Sequence, residues 1–270
     1  MQVKRKIPSK LLTPTSGFLT GYSHSLNPYV GCQFACSYCY VRESPVAKFR
    51  HEPWGTWLDI KEHAANKLRK ELQSAKKKGP VTIFMSSATD PYQPTEYREQ
   101  ITRSLVEVMA EERPDFLLVQ TRSPLVLRDL DLFKRMKDCL RISITIETDR
   151  EEIRQRFTPQ APPLAARMQA LQALYQAGLD VQAAVSPILP ASDQFAAKLA
   201  KCTPRVCLDN FVLGDGSGGK RTARLGIYQR YEETDLEMWY KPEALERVRQ
   251  QFLEVFPENQ VLISQAGFLP

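Results

Sequence analysis

The chain has 270 residues, 43% hydrophobic and 25% charged, which is an ordinary composition for one large globular domain or two small ones. No run of 18 apolar residues occurs, which excludes a membrane-spanning helix, and the charged N-terminus lacks the apolar stretch of a secretory signal. We therefore expect a cytoplasmic protein. The net charge of +6 favours polyanionic partners mildly, although many small-molecule enzymes carry a similar charge.

Helices and strands are predicted to alternate along the chain after about residue 55. The predicted helices are 59–78, 101–112, 129–137, 162–177 and 241–255. The predicted strands are 81–86, 116–121, 141–147, 181–185, 206–213 and 260–264, with one more in the irregular stretch before Cys32. Strands that alternate with helices form repeated βα units, and therefore a parallel sheet with both faces covered.

Six or seven such strands are too few for a complete eight-stranded barrel. An α/β fold with a partial (β/α)6 barrel of the TIM type and a small C-terminal extension fits this pattern better than a doubly wound sheet. No glycine-rich nucleotide-binding turn follows the first strand, which also disfavours the doubly wound sheet. We expect an N-terminal extension at 1–20, a core at 21–215, and a part at 216–270 that completes or caps the barrel.

One segment, residues 214–220, concentrates glycines and ends in a lysine, and Arg221 and Arg224 follow it. This composition suits a phosphate-binding loop, although the Walker spacing is absent. A mobile surface loop is the more ordinary interpretation. A substrate lid is an intermediate alternative.

The strongest chemical signal is a group of three cysteines within eight residues, Cys32, Cys36 and Cys39, with Tyr38 before the last one. A loop with this C-x3-C-x2-C spacing presents three thiolates to three irons of an iron–sulfur cluster and leaves a fourth iron open for a chelating ligand. Zinc would need a fourth ligand, for which His51 is the candidate. Disulfides do not suit a reducing compartment. The spacing therefore favours an iron–sulfur cluster.

The other three cysteines, Cys139, Cys202 and Cys207, form no second tight group in the sequence. Buried, inert thiols are the expected interpretation, because unpaired cysteine is among the most buried residue types. Cys202 and Cys207 would belong to an auxiliary cluster only with additional ligands.

The cysteine loop resembles that of the radical S-adenosylmethionine (SAM) superfamily, and the chain resembles its spore photoproduct lyase-related branch, often labelled DNA repair photolyase-like. The resemblance covers about residues 20–215 and includes three further blocks, TDPYQPTE at 89–96, TRSPLVLRD at 121–129 and SPILP at 186–190. It implies a [4Fe–4S] cluster on Cys32, Cys36 and Cys39, with SAM chelating the open iron. It also implies reductive cleavage of SAM to a 5′-deoxyadenosyl radical, which abstracts hydrogen from a substrate.

Five residues are expected to contact SAM: Tyr38, Thr89, Asp90, Arg122 and Ser143. The resemblance places Tyr38 beside the adenine, Thr89 and Asp90 near the ammonium group, and Arg122 where relatives more often carry a lysine. Arg122 would bind the SAM carboxylate. Ser143 lies on an alternating strand whose inner face is the barrel lumen, and is a candidate for the ribose.

Each of these residues also has a purely structural interpretation. Tyr38 would pack the loop, Asp90 would form an Asx turn before Pro91, and the Ser143 hydroxyl would bond to backbone. Arg122 would pair with Asp129 or Glu147 at the barrel rim.

The substrate is less constrained than the cofactor. Spore photoproduct lyases carry a cysteine that returns a hydrogen atom to the product radical, and this chain has Ser87 at the matching position. Because a serine O–H bond is too strong for that transfer, thymine-dimer repair by the same chemistry is not expected. Nucleic acid is preferred to a small metabolite or peptide, with Arg221, Arg224 and Arg230 as candidate phosphate contacts.

The remaining partners also follow from the resemblance. A radical SAM enzyme needs an electron donor such as flavodoxin or ferredoxin, and we expect a monomer with no membrane partner. A different class stays open, namely an iron–sulfur protein that binds nucleic acid or regulates without turnover. Its support is the basic charge, including lysines 76–78 and the arginines at 221–230.

Overall fold

The computed structural model describes residues 1–232 and 236–270. The strands in these residues are β1 (Gln2–Lys6), β2 (Leu12–Pro14), β3 (His24–Leu26), β4 (Tyr29–Val30), β5 (Trp57–Lys61), β6 (Thr82–Met85), β7 (Phe116–Thr121), β8 (Leu140–Thr145), β9 (Asp180–Val185), β10 (Val206–Leu208) and β11 (Val261–Ile263). The helices are α1 (Pro45–Lys48), α2 (Ala64–Lys76), α3 (Glu96–Glu99), α4 (Ile101–Glu112), α5 (Leu130–Lys134), α6 (Glu151–Phe157), α7 (Leu164–Gln176), α8 (Phe195–Ala200), α9 (Phe211–Gly214), α10 (Lys220–Arg224), α11 (Glu243–Leu253) and α12 (Gln265–Phe268). None of the helices in the described ranges is long and apolar enough to cross a membrane.

The main sheet has eight strands in the order β11-β10-β9-β8-β7-β6-β3-β2. Its neighbours are parallel except at one edge, where β2 runs antiparallel to β3. Within the described residues the two end strands, β2 and β11, each pair with one neighbour, so the barrel is not closed. The predicted α/β fold with a partial barrel is therefore confirmed.

Side chains cover the gap between the two end strands. Gln265 of α12 donates from Nε2 to the carbonyl of Phe18 at 2.8 Å, and the Tyr22 hydroxyl donates to the carbonyl of Phe268. The ring centroid of Phe268 lies 6.1 Å from that of Phe18 and 6.2 Å from that of Phe84 on β6. The last residues of the chain therefore form an aromatic wall of the barrel interior.

The first predicted helix begins too early. Residues 57–61 form β5, which pairs with β1 on one side and β4 on the other, and α2 begins only at Ala64. Trp57, Leu58 and Ile60 are buried on both faces of this small sheet. A short apolar run fits a buried strand as well as a helix turn, and only its pairing partners distinguish the two.

The strand predicted at 206–213 is also shorter in the structure. β10 ends at Leu208, and the side chain of Asn210 then accepts hydrogen bonds from the amides of Val212 and Leu213 at 3.0 and 2.9 Å. This cap begins α9, because an asparagine oxygen satisfies amides that the first helical turn leaves unpaired.

Candidate functional site

A cavity of about 350 Å³ lies at the carboxyl ends of the parallel strands, where ligands bind in barrels of this kind. One wall is the cysteine loop, with Cys36, Tyr38 and Cys39 facing the cavity. The glycine-rich segment around Asp215 forms another part of the wall, and Phe268 of the aromatic wall also lines the cavity. The cysteine loop and the glycine-rich segment are therefore brought to the same space.

All three predicted ligand cysteines are reduced thiols on this loop. Cys32 and Cys36 are 8% and 5% exposed, and Cys39 is half-buried. Burial raises the pKa of each thiol, to about 11 for Cys36, where the nearby Arg122 guanidinium opposes the rise. Among the described residues, no three His, Cys, Asp or Glu side chains gather closely enough to hold a single metal ion.

The second-strand block at 89–96 braces the cysteine loop. Thr89 donates from Oγ1 to the carbonyl of Gly31 at 2.5 Å, and Gln93 donates from Nε2 to Thr89 Oγ1 at 3.1 Å. The amide of Gln33 donates to Gln93 Oε1 at 2.9 Å, while Gln33 Oε1 accepts from the amide of Thr95 at 2.7 Å. Gln93 is fully buried. No local sequence pattern indicates that Gln93 holds the cysteine loop.

Asp90 ties together the ends of two neighbouring strands. Its carboxylate accepts hydrogen bonds from the amide of Tyr92 at 2.9 Å, the hydroxyl of Thr121 at 2.6 Å and the amide of Arg122 at 2.9 Å. Burial raises the pKa of Asp90 although these hydrogen bonds oppose the rise. The Asx turn considered from the sequence is present, and Asp90 and Thr89 are not among the cavity-lining residues.

Arg122 lies in the cavity wall and belongs to a buried charge network. Its Nη1 donates to Glu147 Oε1 at 2.5 Å and to the Tyr38 hydroxyl at 3.1 Å, while Tyr38 also donates to Glu147. Arg167 of α7 donates to the other Glu147 oxygen at 2.7 Å. Burial opposes ionisation of Glu147, but the two guanidinium groups outweigh it and lower the pKa of Glu147 to about 2.

Of the two ion-pair partners considered for Arg122, the structure selects Glu147. The other, Asp129, pairs instead with Arg103 at 2.9 Å and Arg128 at 2.7 Å. Within the described residues, Nε and Nη2 of Arg122 make no hydrogen bond, so one edge of its guanidinium group stays open to a ligand. Arg167 was not identified from the sequence, because nothing local to α7 indicates that it reaches the end of β8.

Ser143 is buried and is not among the residues that line the cavity. Its hydroxyl is fully buried and accepts a hydrogen bond from Gln182 Nε2 at 3.0 Å. Thr145, the next inward residue on β8, does line the cavity and accepts from Gln120 Nε2 at 2.6 Å. The Ser143 partner is thus a side chain, not the backbone expected in the structural alternative, and its contact with the SAM ribose stays a prediction.

The glycine-rich segment folds around its own carboxylate. Asp215 accepts hydrogen bonds from the amides of Ser217 at 2.7 Å, Gly219 at 3.0 Å, Arg221 at 3.0 Å and Thr222 at 3.1 Å. Burial would raise the pKa of Asp215, but these amides hold it below its ordinary value. A phosphate-binding loop needs such amides for its ligand, and here Asp215 already uses them.

The arginines considered as phosphate contacts are engaged within the protein. Arg221 donates to the carbonyl of Asp215 at 2.9 Å and lies 5.9 Å from the ring centroid of Tyr40. Arg224 pairs with Glu43 at 3.4 Å. The guanidinium group of Arg230 donates to the carbonyl of residue 156 at 3.2 Å. Of these contacts, the one between Arg221 and Tyr40 joins the end of the glycine-rich segment to the cysteine loop.

Ser87 and the remaining cysteines have packing partners. The Ser87 hydroxyl lines the cavity and accepts from Asn27 Nδ2 at 3.3 Å. Cys139 and Cys202 belong to the core outside the barrel, whereas Cys207 packs inside it. All three are buried, as expected for inert thiols.

A family model described as the radical SAM superfamily matches residues 26–194. The chain belongs to the radical SAM superfamily. Membership implies SAM and an iron–sulfur cluster as cofactors, and it supports an enzymatic activity. The matched range contains the cysteine loop, the second-strand block and the Arg122 network.

Two relatives extend the match in sequence. An uncharacterised protein of Methanocaldococcus jannaschii is 32% identical over 190 residues, which cover 70% of this chain and 68% of that protein. An uncharacterised protein of Acidianus two-tailed virus is 34% identical over 173 residues, covering 62% of this chain and 56% of the viral protein. The aligned part thus spans between half and about two thirds of these relatives.

Solved structures share the fold. Spore photoproduct lyase in complex with a dinucleoside spore photoproduct matches with a TM-score of 0.68 at 16% identity, over 97% of this chain and 81% of that chain. Streptococcus suis SuiB bound to S-adenosylmethionine matches with a TM-score of 0.52 at 12% identity, over 76% and 43% of the two chains. Another SuiB structure contains a precursor peptide. At these identities the likeness shows the fold.

Proposed function

We propose that this radical SAM protein is an enzyme that cleaves SAM reductively at a [4Fe–4S] cluster and abstracts hydrogen from a substrate in the cavity. The observation that carries the proposal is the placement of Cys36 and Cys39 in the wall of a cavity of about 350 Å³, with Cys32 on the same buried loop. A cavity of this size is in the range of small-molecule sites.

The donor set fits such a cluster. Three thiols on one loop supply three of four iron ligands, which leaves one iron for the amino and carboxylate groups of SAM. Burial raises the pKa of Cys36 and Cys39, and the guanidinium group of Arg122 partly offsets this rise and so supports the thiolate form, which binds iron. When bound and reduced, the cluster supplies the electron that splits the SAM sulfonium into methionine and a 5′-deoxyadenosyl radical.

Arg122 and Tyr38 are the protein groups best placed to bind SAM. The unpaired edge of Arg122 presents two N–H donors, a geometry that matches a carboxylate. Arg167 donates to one carboxylate oxygen of Glu147. The other oxygen accepts from Arg122 and the Tyr38 hydroxyl and so fixes the orientation of both groups. Tyr38 lines the cavity with its hydroxyl held in place, and the adenine of SAM would pack against its ring.

Thr89 and Asp90 support this site in our proposal without direct contact to the SAM ammonium group. Their polar atoms are already hydrogen-bonded, Thr89 to the loop carbonyl of Gly31 and Asp90 to the backbone of Arg122. They are positioning residues for the cysteine loop and for Arg122. Ser143 holds Gln182 in the layer below.

The substrate class of this chain stays open between nucleic acid and a peptide or small metabolite. One structural neighbour carries a dinucleoside and another a precursor peptide. We keep nucleic acid as the preferred class on the basis of the net charge of +6 and the fold likeness. The internal contacts of Arg221 and Arg224 weaken their candidacy as phosphate ligands.

The cofactor is tested by anaerobic purification and reconstitution, followed by measurement of iron and acid-labile sulfide. We expect about four irons and four sulfides per chain in the wild type, as for other [4Fe–4S] sites, and little of either in Cys32→Ala. Cys202→Ala is the matched control, since Cys202 is buried in the outer core and should leave the iron content unchanged. Tightly bound zinc without sulfide would contradict the cluster assignment.

The reaction class is tested by adding dithionite and SAM to the reconstituted protein and measuring 5′-deoxyadenosine. The wild type and Cys202→Ala should form it, whereas Cys32→Ala should not. A wild type that holds its cluster but forms no more 5′-deoxyadenosine than Cys32→Ala would instead support an iron–sulfur protein without turnover.

A further inference from the structure

Arg42 follows the last cysteine of the motif by three residues, and its side chain turns back onto the cysteine loop. Its Nε donates to the carbonyl of Cys36 at 2.9 Å, and its Nη2 donates to the carbonyl of Ala35 at 2.6 Å. Its own amide donates to the carbonyl of Cys39 at 3.1 Å. A single residue is thus bonded to three carbonyl groups of the loop, and two of these belong to predicted cluster ligands.

The carbonyl that accepts from Nη2 belongs to a residue in an unfavourable conformation. Ala35 has φ +48°, in the left-handed region that residues with a Cβ rarely adopt. The space around it is also crowded, since a Cβ at Gly55 would collide with the Ala35 Cβ. A planar guanidinium group presents its N–H donors in a fixed fork, so it can bond two carbonyls at once. Arg42 therefore supports a loop conformation that the local sequence disfavours.

The positive charge of Arg42 is not neutralised by a carboxylate among the described residues. The neighbouring Glu43 pairs with Lys48 instead, at 2.8 Å. Arg122, which reaches the loop from the cavity wall, is by contrast ion-paired with Glu147. Arg42 is half-buried, so solvent screens its charge only in part. An unpaired cation is therefore bonded directly to the loop that carries the three thiols.

We propose that Arg42 is a positioning residue with two separate effects: its fork of N–H donors holds the cysteine loop in shape, and its positive charge raises the reduction potential of the cluster. Reduction takes up one electron from dithionite or a protein donor, forms no bond and moves no proton. It adds one negative charge, which a nearby cation stabilises. The inference rests on the proposed function, because it needs a cluster on the three cysteines.

The first test is the reduction potential of the reconstituted protein without SAM, measured by redox titration with electron paramagnetic resonance of the reduced cluster. Arg42→Gln keeps a donor but loses the charge, so the equilibrium constant for reduction should fall about tenfold, that is, by about 59 mV. Arg42→Lys keeps the charge and should stay within about threefold of the wild type. Arg135→Gln, the same change at an exposed position, is the matched control. Equal potentials in Arg42→Lys and Arg42→Gln would overturn the proposal.

The second test is the anaerobic release of iron from the oxidised cluster to a chelator. Arg42→Lys and Arg42→Gln both lack the fork, so both should lose iron several times faster than the wild type and Arg135→Gln, because the loop opens more often. Lysine thus separates the two effects, since it should change the rate of iron release and leave the potential almost unchanged. Wild-type release rates in both variants would contradict the role of the fork.

A second variant keeps the test valid if Arg42→Gln assembles no cluster. Glycine adopts φ +48° without strain, so Ala35→Gly reduces the need of the loop for the fork. The double variant Ala35→Gly with Arg42→Gln should therefore regain the cluster and still show the lower potential, whereas Ala35→Gly alone should keep the wild-type potential. A double variant with the wild-type potential, or without a cluster, would overturn the proposal.

These measurements are independent of turnover. Potentials that follow the charge at residue 42 in a protein that forms no 5′-deoxyadenosine would retain this inference while the proposed reaction fails. Formation of 5′-deoxyadenosine by a protein whose potential ignores that charge would retain the reaction and overturn the inference. A wild type that assembles no [4Fe–4S] cluster would overturn both.

Discussion

The cysteine loop (27–40) and the glycine-rich segment (214–220) are both irregular, and both border the same cavity, but they are held in different ways. Side chains some 60 residues further along the chain brace the cysteine loop, chiefly Thr89 and Gln93. In the glycine-rich segment, Asp215 satisfies amides no more than seven residues away. The cysteine loop therefore depends on tertiary structure, whereas the other segment depends mainly on local sequence.

The largest expected difference between the two regions comes from replacing a glycine in each by alanine. Gly31 has φ +97°, and a Cβ there would lie 2.7 Å from the carbonyl oxygen of Trp57, whereas Gly218 has φ +64° and nothing within 4 Å. Gly31→Ala should lose most of its iron and about 3 kcal/mol of stability, and Gly218→Ala about 1 kcal/mol with its iron retained. Iron content and urea unfolding check this. Equal iron loss in both variants would remove the distinction.

The second change tests the local nature of the glycine-rich segment. Asp215→Ala leaves the four amides without their acceptor and should destabilise the segment by about 2–3 kcal/mol, an effect confined to its neighbourhood. Limited proteolysis near 214–224 should become faster while the iron content stays that of the wild type. Loss of iron in Asp215→Ala would show that the two regions are coupled.

Asp209 lies where the glycine-rich segment approaches the barrel, and its ionisation gives a pH test. Burial raises its pKa to about 7 in the folded chain, against about 3.9 in the unfolded one, so the unfolded chain releases the proton first. The contribution of Asp209 to the free energy of unfolding is therefore fully present below about pH 4, is lost as the pH rises to about 7, and stays absent above that pH. Asp209→Asn abolishes this loss and should be more stable than the wild type by about 2 kcal/mol at about pH 8.

Urea unfolding of both proteins at several pH values measures this difference. The charged and titratable neighbours of Asp209 are Asp215 and Cys207, and both are retained in the variant. A stability difference that does not change between about pH 4 and 8 would contradict the raised pKa.

The smallest effect is expected at the brace of the cysteine loop. Gln93→Ala removes a buried amide that bonds Gln33 and Thr89 and should cost about 1–2 kcal/mol. Iron should pass to a chelator several times faster than from the wild type, because the loop opens more often. Gln229→Ala, at an exposed position, is the matched control. Unchanged iron release from Gln93→Ala would mean that the remaining contacts suffice.

Local patterns predicted much of the fold. Helix α4 and strand β7 have the predicted bounds, since each is a periodic or continuous apolar segment with clear ends. The sequence predicts a helix from residue 59, although 59–61 belong to β5, because an apolar run does not reveal β1 and β4 as its partners. The three cysteines could be predicted as cluster ligands from the sequence because the motif lies within eight residues.

What the sequence by itself determined is the cysteine motif, the βα order and the family resemblance, because each is a pattern of neighbouring residues. Only the tertiary structure decided which side chains of the site are already satisfied. Arg122 uses only Nη1 to bond Glu147, which Arg167 also binds, so the Nε and Nη2 edge of Arg122 stays open. Ser143, in contrast, is buried and bonded to Gln182. These partners lie 20 to 39 residues apart in the chain, and folding alone brings them within hydrogen-bond distance.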